Sequence, residues 1–503
     1  MSGSNSASHI DRIIWPDEML TLASIIDALI GVSPQWATHV ITEAAVDSRQ
    51  VIPGSLFVAL MGEQRDGHDF VEEAFKKGAI TALIEKEITF SQAERTSVAV
   101  LDLRDPSAAQ NRLSQPESTQ VHPPLCLLVQ NSLQALQAIA RYWRRKLDLR
   151  VIGVTGSVGK STTKELIAEV LNQRYYTLKN PGNFNNEIGL PLTLLSLSEG
   201  HQRAVLEMGF YVPGEIAFLC DLAQPEIGVI TNVGTVHAER AGSLEAIARG
   251  KAELVEALPA APAGVAVLNY DDPLVREMAE KTKARIFYYG LDPAADLWAD
   301  DVVGMGLEGI RFRLHFKDEE LHLRVPLIGR HSVHTALRAA AVGLVDGLSW
   351  EEIINGLRSE STQLRLVAVR SASGALILDD TYNASPQSTL AAINLLEELE
   401  GRKIAVLGDM LELGPYEKQG HERVGARAAE VVDQLVCMGE LSKIIAQAAI
   451  EAGLPSEAVI QMENVEQVVN HLKNSLSNKD VVLVKGSRGM RMNLIVASLE
   501  VHP

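Results

Sequence analysis

Cysteine is scarce in this 503-residue chain: only Cys126, Cys220 and Cys437 occur, far apart and odd in number. That excludes a disulfide framework and a cysteine-spaced metal site, and each is expected to be a small buried hydrophobe. Uninterrupted apolar runs of about 18 residues are also missing, which excludes a helical membrane span. Positive charge is in deficit, with 46 Lys and Arg against 64 Asp and Glu and a net charge of −18. A general nucleic-acid binder would show the opposite balance. Any phosphate site must therefore be a local positive island. The polar start, Met1-Ser-Gly-Ser-Asn-Ser-Ala-Ser8, lacks the apolar core of a signal peptide, so a disordered leader and a cytoplasmic location are expected. What is present is ordinary for a globular protein, 46% apolar and 22% charged, over a length that suits about three domains.

The chain is organised around Val151-Ile-Gly-Val-Thr-Gly-Ser-Val-Gly-Lys-Ser-Thr-Thr163. Residues 151–154 read as a short apolar strand, and 161–171 as a helix with Leu166, Ile167, Val170 and Leu171 on one side. Strand, glycine-rich turn, Lys-Ser and helix is the order of a phosphate-binding loop. Backbone N–H groups of Gly156, Ser157, Gly159 and Thr162 would converge at the helix start, Lys160 would meet the β and γ phosphates, and Ser161 would meet Mg²⁺. The general pattern calls for glycine where Val154 stands, so the loop is a variant, and a plain βα turn is the alternative.

Residues 10–86 form an α/β pattern in which Asp47-Ser-Arg49 and Asp66-Gly-His68 end up beside strands, as ligand residues or as capped, solvated loops. Residues 104–124, rich in Pro, Ser, Gln and Asn, read as a surface insertion or linker. A new block is expected to open at 125–129 and to run through a helix at 132–147 into the phosphate loop. Strands at 204–207, 227–232 and 265–269 then alternate with helices, which predicts a doubly wound, mostly parallel sheet. Strand-like runs at 286–289, 310–316 and 321–325 suggest a small antiparallel addition. The α/β pattern restarts near Gln363, giving a second parallel sheet. The expected division is 10–125, 126–362 and 363–503.

Ligands to such sheets gather beyond the carboxyl ends of the strands. Asn180-Pro-Gly-Asn-Phe-Asn-Asn-Glu-Ile-Gly189, Glu207 and His237 all fall at predicted strand ends, with Lys251 one helix further on. Amides can hold sugar hydroxyls or phosphates, though an Asn/Gly turn explains the first stretch equally. A carboxylate is an oxygen ligand for Mg²⁺.

Taken together these stretches resemble the Mur ligases. Gly153-Val-Thr-Gly-Ser-Val-Gly-Lys-Ser-Thr-Thr163 is similar to the family's ATP loop. Gly182-Asn-Phe-Asn-Asn-Glu-Ile-Gly-Leu-Pro-Leu-Thr193 resembles the dipeptide-adding members, as do His237-Ala-Glu-Arg-Ala-Gly-Ser-Leu-Glu-Ala-Ile-Ala-Arg-Gly-Lys-Ala-Glu253, Asp379-Asp-Thr-Tyr-Asn-Ala-Ser-Pro386, Leu407-Gly-Asp-Met-Leu-Glu-Leu-Gly414 and Lys485-Gly-Ser-Arg-Gly-Met490. Asp47-Ser-Arg49 and Asp66-Gly-His68 resemble the family's UDP-binding domain.

The resemblance implies an α/β protein of three domains: an N-terminal UDP-binding domain, a central ATPase-like parallel sheet and a Rossmann-like C-terminal domain. It implies an ATP-dependent ligase of peptidoglycan precursor synthesis, joining D-alanyl-D-alanine to UDP-N-acetylmuramoyl-tripeptide through an acyl phosphate. Lys160, Glu207, His237 and Lys251 are its implied catalytic residues. Ser161 and Glu207 would hold one Mg²⁺, and His237 with a carbamylated Lys251 a second. Gly156, Ser157, Gly159, Thr162, Asn183, Arg365 and Asp380 would contact ATP, and Ser48, Arg49, His68, Asn186 and Asn383 the other substrates. Neither nucleic acid nor membrane is an expected partner, and a monomer is expected. The alternatives are a sister ligase adding a single amino acid and a nucleotide-binding scaffold without catalysis. Val158, Ser332 and Thr335 stand where the family usually has asparagine.

Overall fold

The computed structural model describes residues 19–62, 65–90, 98–113, 121–359 and 367–500. Two compact units result: the described residues up to Leu149 with Pro191–His201, and Arg150–Leu190 with the described residues from Gln202 onward. Among the described residues the first unit has a sheet of five strands, and the second has sheets of nine and six. The expected α/β architecture with three sheets is what the chain adopts.

In the first unit the order is Ala44–Ala45, Leu56–Val58, Thr81–Ile84, Leu125–Leu128, Ala99–Asp102, all parallel. The inner strands Leu56–Val58, Thr81–Ile84 and Leu125–Leu128 are buried along their whole length, as a parallel sheet covered on both faces requires. The strand Leu125–Leu128 pairs with both Thr81–Ile84 and Ala99–Asp102. The expected boundary after residue 125 therefore falls inside this sheet, and helix Ser132–Lys146 belongs with it, Tyr142 donating to Asp27 Oδ2 at 2.6 Å. An apolar strand followed by an amphipathic helix reads the same at the end of one domain as at the start of the next.

The linker reading of 104–124 also needs correction. Pro106–Leu113 is a helix that buries Ala109 and Leu113. Its signal is Asp105-Pro106: the aspartate accepts from the Ala108 N–H at 3.1 Å, and proline is tolerated at a first helical position. Polar composition concealed that start.

The nine-stranded sheet runs Glu319–Val325, Ile310–Phe316, Leu297–Gly304, Arg285–Gly290, Val265–Asn269, Ile227–Ile230, Arg150–Thr155, Arg203–Glu207, Thr177–Lys179. From Arg285–Gly290 to Thr177–Lys179 it is parallel. After Arg150–Thr155 the chain places the edge strand Thr177–Lys179, fills in Arg203–Glu207 between them, and then crosses to build outward on the other side, which makes Arg150–Thr155 the switch point of the sheet. The antiparallel addition is not separate. Leu297–Gly304 joins it to the parallel part through Tyr289↔Leu297 and Gly290↔Trp298. That strand escaped sequence reading because Asp300 and Asp301 interrupt it at an irregularity in register. Arg313 on the next strand neutralises Asp300 through bonds of 2.7 and 2.8 Å.

Helix Lys160–Leu171 buries Leu166, Ile167, Ala168, Val170 and Leu171 and packs beside Val333–Val345. That second helix is lined with Ala336, Ala339, Ala340 and Ala341, all fully buried, so the two backbones approach closely. The third sheet runs Val367–Arg370, Leu376–Asp380, Asp480–Lys485, Arg402–Gly408, Gln434–Met438, Val459–Met462, parallel except for its first pair.

At the amino ends of the central strands, Asp346 is fully buried. It accepts from Arg150 Nη1 at 2.8 Å and from Arg203 Nε at 2.5 Å. Asp346→Ala would leave the Arg203 guanidinium without its counter-charge and Arg150 with Glu226 alone, at 3.1 Å. A loss of ~2 kcal/mol is expected, below the full buried-pair figure because Arg150 is partly solvated. Urea unfolding would register it as a lower midpoint at unchanged slope.

Candidate functional site

The phosphate loop leaves the sheet at its switch point. Val154 pairs with Glu207 on one side and Thr155 with Ile230 on the other, so register alone brings the loop, the carboxylate and the 231–234 turn to one edge. Gly156 lies so close to Thr231 that a Cβ would stand 1.8 Å from its Oγ1, and its φ is +146°. Gly159, at φ +84°, is the residue from which helix Lys160–Leu171 starts. The neighbouring turn clamps the loop. Thr231 Oγ1 and Asn232 Nδ2 donate to the Val158 carbonyl at 2.8 and 2.9 Å, and Asn232 Oδ1 accepts the Val158 N–H at 3.0 Å. Ser157 Oγ exchanges hydrogen bonds with the backbone of Gly234. Lys160 Nζ folds back on the loop, donating to the carbonyls of Gly156 at 2.9 Å and Ser157 at 3.3 Å.

Ser161 and Glu207 meet directly, the hydroxyl donating to Glu207 Oε2. Asn185 Nδ2 donates to the other carboxylate oxygen at 2.9 Å. Asn180 holds the Glu207 backbone on both sides: its Oδ1 accepts from the N–H at 2.9 Å and its Nδ2 donates to the carbonyl at 3.0 Å. Lys164 Nζ, itself buried, donates to the Asn180 carbonyl at 2.6 Å. The amide stretch therefore serves the carboxylate through Asn185 and Asn180, a role that was not expected of it. Asn183 is exposed, and Asn186 caps helix Gly189–Leu195, its Oδ1 accepting from the Gly189 N–H at 2.9 Å. Alternation of side-chain direction along an irregular loop is not readable from composition, so the asparagines that reach Glu207 did not stand out.

His237 sits at φ +64°, its ring edge-on to Tyr211 with centroids 4.7 Å apart. Its Nδ1 donates to Glu412 Oε2 at 2.6 Å, which fixes the tautomer and leaves Nε2 with its lone pair. Burial pulls its pKa below the usual imidazole value despite the opposing pull of Glu412. Lys251 is 1% exposed, with Nζ 4.7 Å from the centre of the Phe210 ring. Gly250 makes room for that ring, since a Cβ there would meet Phe210 at 2.0 Å. Among the described residues Lys251 forms no ion pair. Burial, and then the charge of Lys160, hold it well below the ordinary lysine range.

Lys160, Ser161, Thr162 and Glu207 line a cavity of about 220 Å³ together with Asp380 and Asn383 from the third sheet. Asp380 accepts from Lys485 Nζ at 2.6 Å, and the same ammonium donates to the Asn383 carbonyl at 2.9 Å. Strand register puts Asp380 opposite Lys485. Lys485, Glu412, Thr231 and Asn232 are the site residues that sequence reasoning passed over. The first two lay within motifs already singled out. Arg365 lies outside the described residues.

The N-terminal candidates belong to the other unit. Arg49 is 83% exposed and paired with Asp47 at 2.6 Å, holding that carboxyl at about 2. Ser48 is buried, its carbonyl accepting from Lys77 Nζ at 3.0 Å. His68 is only 3% exposed and both ring nitrogens are used internally. Nε2 accepts from the Glu85 N–H at 2.9 Å, so Nδ1 donates to Asp66 at 2.5 Å. It is placed to hold the loop rather than to reach a ligand.

Family models match most of the chain: the Mur ligase family catalytic domain over residues 40–144, the Mur ligase middle domain over 154–343 and the Mur ligase glutamate ligase domain over 364–488. The UDP-N-acetylmuramoyl-tripeptide–D-alanyl-D-alanine ligase of Bacillus subtilis is 37% identical over 94% of this chain and 96% of its own. The enzyme of that name from Escherichia coli is 31% identical over 96% and 98%. Among solved structures, MurF from Acinetobacter baumannii aligns with a TM-score of 0.78 at 29% identity, covering 96% of this chain and 99% of that one. MurF from Thermotoga maritima in complex with ADP aligns at 0.72 and 28%, covering 91% and 96%.

The Lys251 environment makes a stability prediction. A lysine whose folded pKa is depressed binds its proton better in the unfolded chain, so it destabilises the protein increasingly as pH falls below the ordinary lysine range. In bicarbonate-free buffer, Lys251→Met is therefore expected to melt at or above the parent at pH 7, by about 1 kcal/mol or more. The gap should close as pH rises into the ordinary lysine range. A variant that melts lower at every pH contradicts this reading.

Proposed function

This chain belongs to the Mur ligase family, and we propose that it is an ATP-dependent ligase joining D-alanyl-D-alanine to UDP-N-acetylmuramoyl-tripeptide in peptidoglycan precursor synthesis. The observation that carries the site assignment is the single cavity in which Lys160, Ser161 and Glu207 face Asp380 and Asn383. Relatives covering nearly the whole chain carry that substrate pair in their names, and one structural neighbour holds ADP.

In the proposed reaction the terminal carboxylate of the tripeptide attacks the γ-phosphorus of ATP. The bond to the β-γ bridging oxygen breaks, giving ADP and an acyl phosphate. The dipeptide amine then adds to the acyl carbon, a proton is lost, and the tetrahedral species collapses to the amide by expelling phosphate. Charge compensation is the main demand of the first step. Lys160 would exchange its two carbonyl acceptors for phosphate oxygens. The loop N–H groups at the helix start would hold the β-phosphate. Asp380, kept in place by Lys485, and Arg365 would contact the nucleotide, and Asn383 the peptide. Ser48 and Arg49 are proposed for the UDP end.

The Ser161 hydroxyl and the Glu207 carboxylate are hard oxygen donors that fit Mg²⁺, with Asn185 orienting the carboxylate. Bound there, the ion would offset phosphate charge. A second ion fits His237 Nε2 only if Lys251 is modified, because an ammonium cannot ligate a cation. Burial makes the Lys251 ammonium give up its proton more readily than an exposed lysine does. Its nitrogen can add to carbon dioxide and lose a proton, giving an anionic carbamate.

With ATP, the UDP-linked tripeptide and D-alanyl-D-alanine, phosphate release is expected, and Lys160→Ala should lower kcat at least ~10²-fold. Release with single amino acids but not with the dipeptide would overturn the substrate assignment. An unchanged Lys160→Ala variant would remove the loop from the reaction. Stripping carbon dioxide should lower activity and bicarbonate should restore it. Mass analysis that finds Lys251 unmodified in the active enzyme would reject the carbamate.

A further inference from the structure

Against the phosphate loop, but not among the residues that line the nucleotide cavity, lies an arginine with no assigned task. Arg338 is on helix Val333–Val345 and is 4% exposed. A Cβ added to Gly159 would stand 3.6 Å from its Nη2 and 3.8 Å from its Nη1, so the guanidinium lies directly under the turn that opens helix Lys160–Leu171. Its hydrogen bonds go to neutral oxygens: Nε donates to the His334 carbonyl at 3.0 Å and Nη2 to Thr335 Oγ1 at 2.9 Å. Its carbon centre lies 5.8 Å from the middle of the buried Tyr289 ring. Among the described residues no carboxylate lies within ion-pair distance of it.

A buried guanidinium without a counter-charge is costly to the fold, and the neutral contacts recover only part of that cost. Thr335, which holds Nη2, lines the cavity, together with Ser332, the residue just before the helix. Tyr289 links the opposite edge of the arginine to the clamp, its hydroxyl donating to the carbonyls of Ile230 at 3.0 Å and Thr231 at 3.2 Å. The arginine is thus built into the loop's support on both sides. The charge it lacks is the one a polyphosphate would bring to the far side of the glycine turn.

The geometry points to Arg338 as an electrostatic positioning residue for the nucleotide, holding a fixed positive charge beneath the phosphate loop and acting on the phosphates through it. This rests on the nucleotide reading of the cavity. Across a few ångströms of low-dielectric backbone a full charge is felt strongly. The loss should therefore fall on nucleotides in proportion to their phosphate charge and leave an uncharged nucleoside alone. The ligand-free protein should not need the residue.

The experiment measures binding of MgADP and adenosine to the full chain by calorimetry, and melting with and without MgADP, for the parent, Arg338→Met and Arg338→Lys. Arg338→Met is expected to bind MgADP about tenfold more weakly, about 1.4 kcal/mol, with adenosine binding unchanged. Ligand-free, it should melt no lower than the parent while gaining less from MgADP. Arg338→Lys should recover most of the affinity. Unchanged MgADP binding in Arg338→Met overturns the inference. So does an equal loss for MgADP and adenosine with a lowered ligand-free melting point, which would mark a packing role. If Arg338→Met does not fold, Arg338→Gln carries the same comparison. A parent chain that binds no MgADP overturns the nucleotide reading itself, and this inference with it.

Discussion

Every part of the proposed site depends on the contact between Gly156 and Thr231. A Cβ at 156 would overlap the threonine hydroxyl, so the loop can seat against the next strand only as glycine. Once seated, its backbone is occupied: Thr231 and Asn232 take the Val158 carbonyl, and Asn232 takes the Val158 N–H. The Ser157 N–H is taken as well, donating to the Asn232 carbonyl at 2.9 Å. Parallel register does the rest, since pairing Val154 with Glu207 delivers a carboxylate beside Ser161 without any long-range adjustment. A side chain at 158 projects from a backbone already held at both polar atoms. Valine in place of asparagine there changes what faces the cavity and leaves the clamp as it is.

The electrostatics follow from the same geometry. A chain with a net charge of −18 must gather cations where it is to hold a polyphosphate. Lys160 rests on backbone carbonyls, Lys251 on an aromatic face and Arg338 on neutral oxygens. These contacts are weaker than carboxylate pairs, and so leave the positive potential unquenched for a ligand. Elsewhere in the second unit the opposite choice is made: Asp346 takes two arginines at the far ends of the strands, and Asp380 takes Lys485.

Much of this was legible in the chain. The loop, Glu207 and His237 stood out because strand-end position and residue type coincide, and both follow from period and punctuation; Lys251, inside helix Leu244–Glu256, stood out only through the family resemblance. The domain edge at 125 was not, because an apolar strand carries no sign of which sheet it joins. Leu297–Gly304 was hidden by aspartates whose partner, Arg313, is a neighbour only after folding. Asn185 was hidden among equals, since whether an asparagine reaches a carboxylate depends on the direction of each side chain in the loop. Arg338 had no signal at all: in sequence it is a polar residue within an alanine-rich helix, where a solvated position would be the ordinary expectation.

The contact between His237 and Glu412 is where local preference and tertiary structure conflict most. Both residues are left-handed, at φ +64° and +63°, in a conformation that side-chain-bearing residues adopt at a cost of the order of 1 kcal/mol each. The hydrogen bond between them joins a turn of the central sheet to a turn of the third. Backbone contacts repeat that link, the Glu239 N–H donating to the Glu412 carbonyl at 3.3 Å and Gly414 packing against Glu239. Neither turn would choose this conformation for its own sake. The strain is held because the joint presents Nε2 of a neutral, oriented imidazole near Lys160 and Lys251, whose charges both act on the ring. A glycine at either position would relieve the backbone but delete the imidazole or the carboxylate. The conformation is therefore tied to the two side chains that need it.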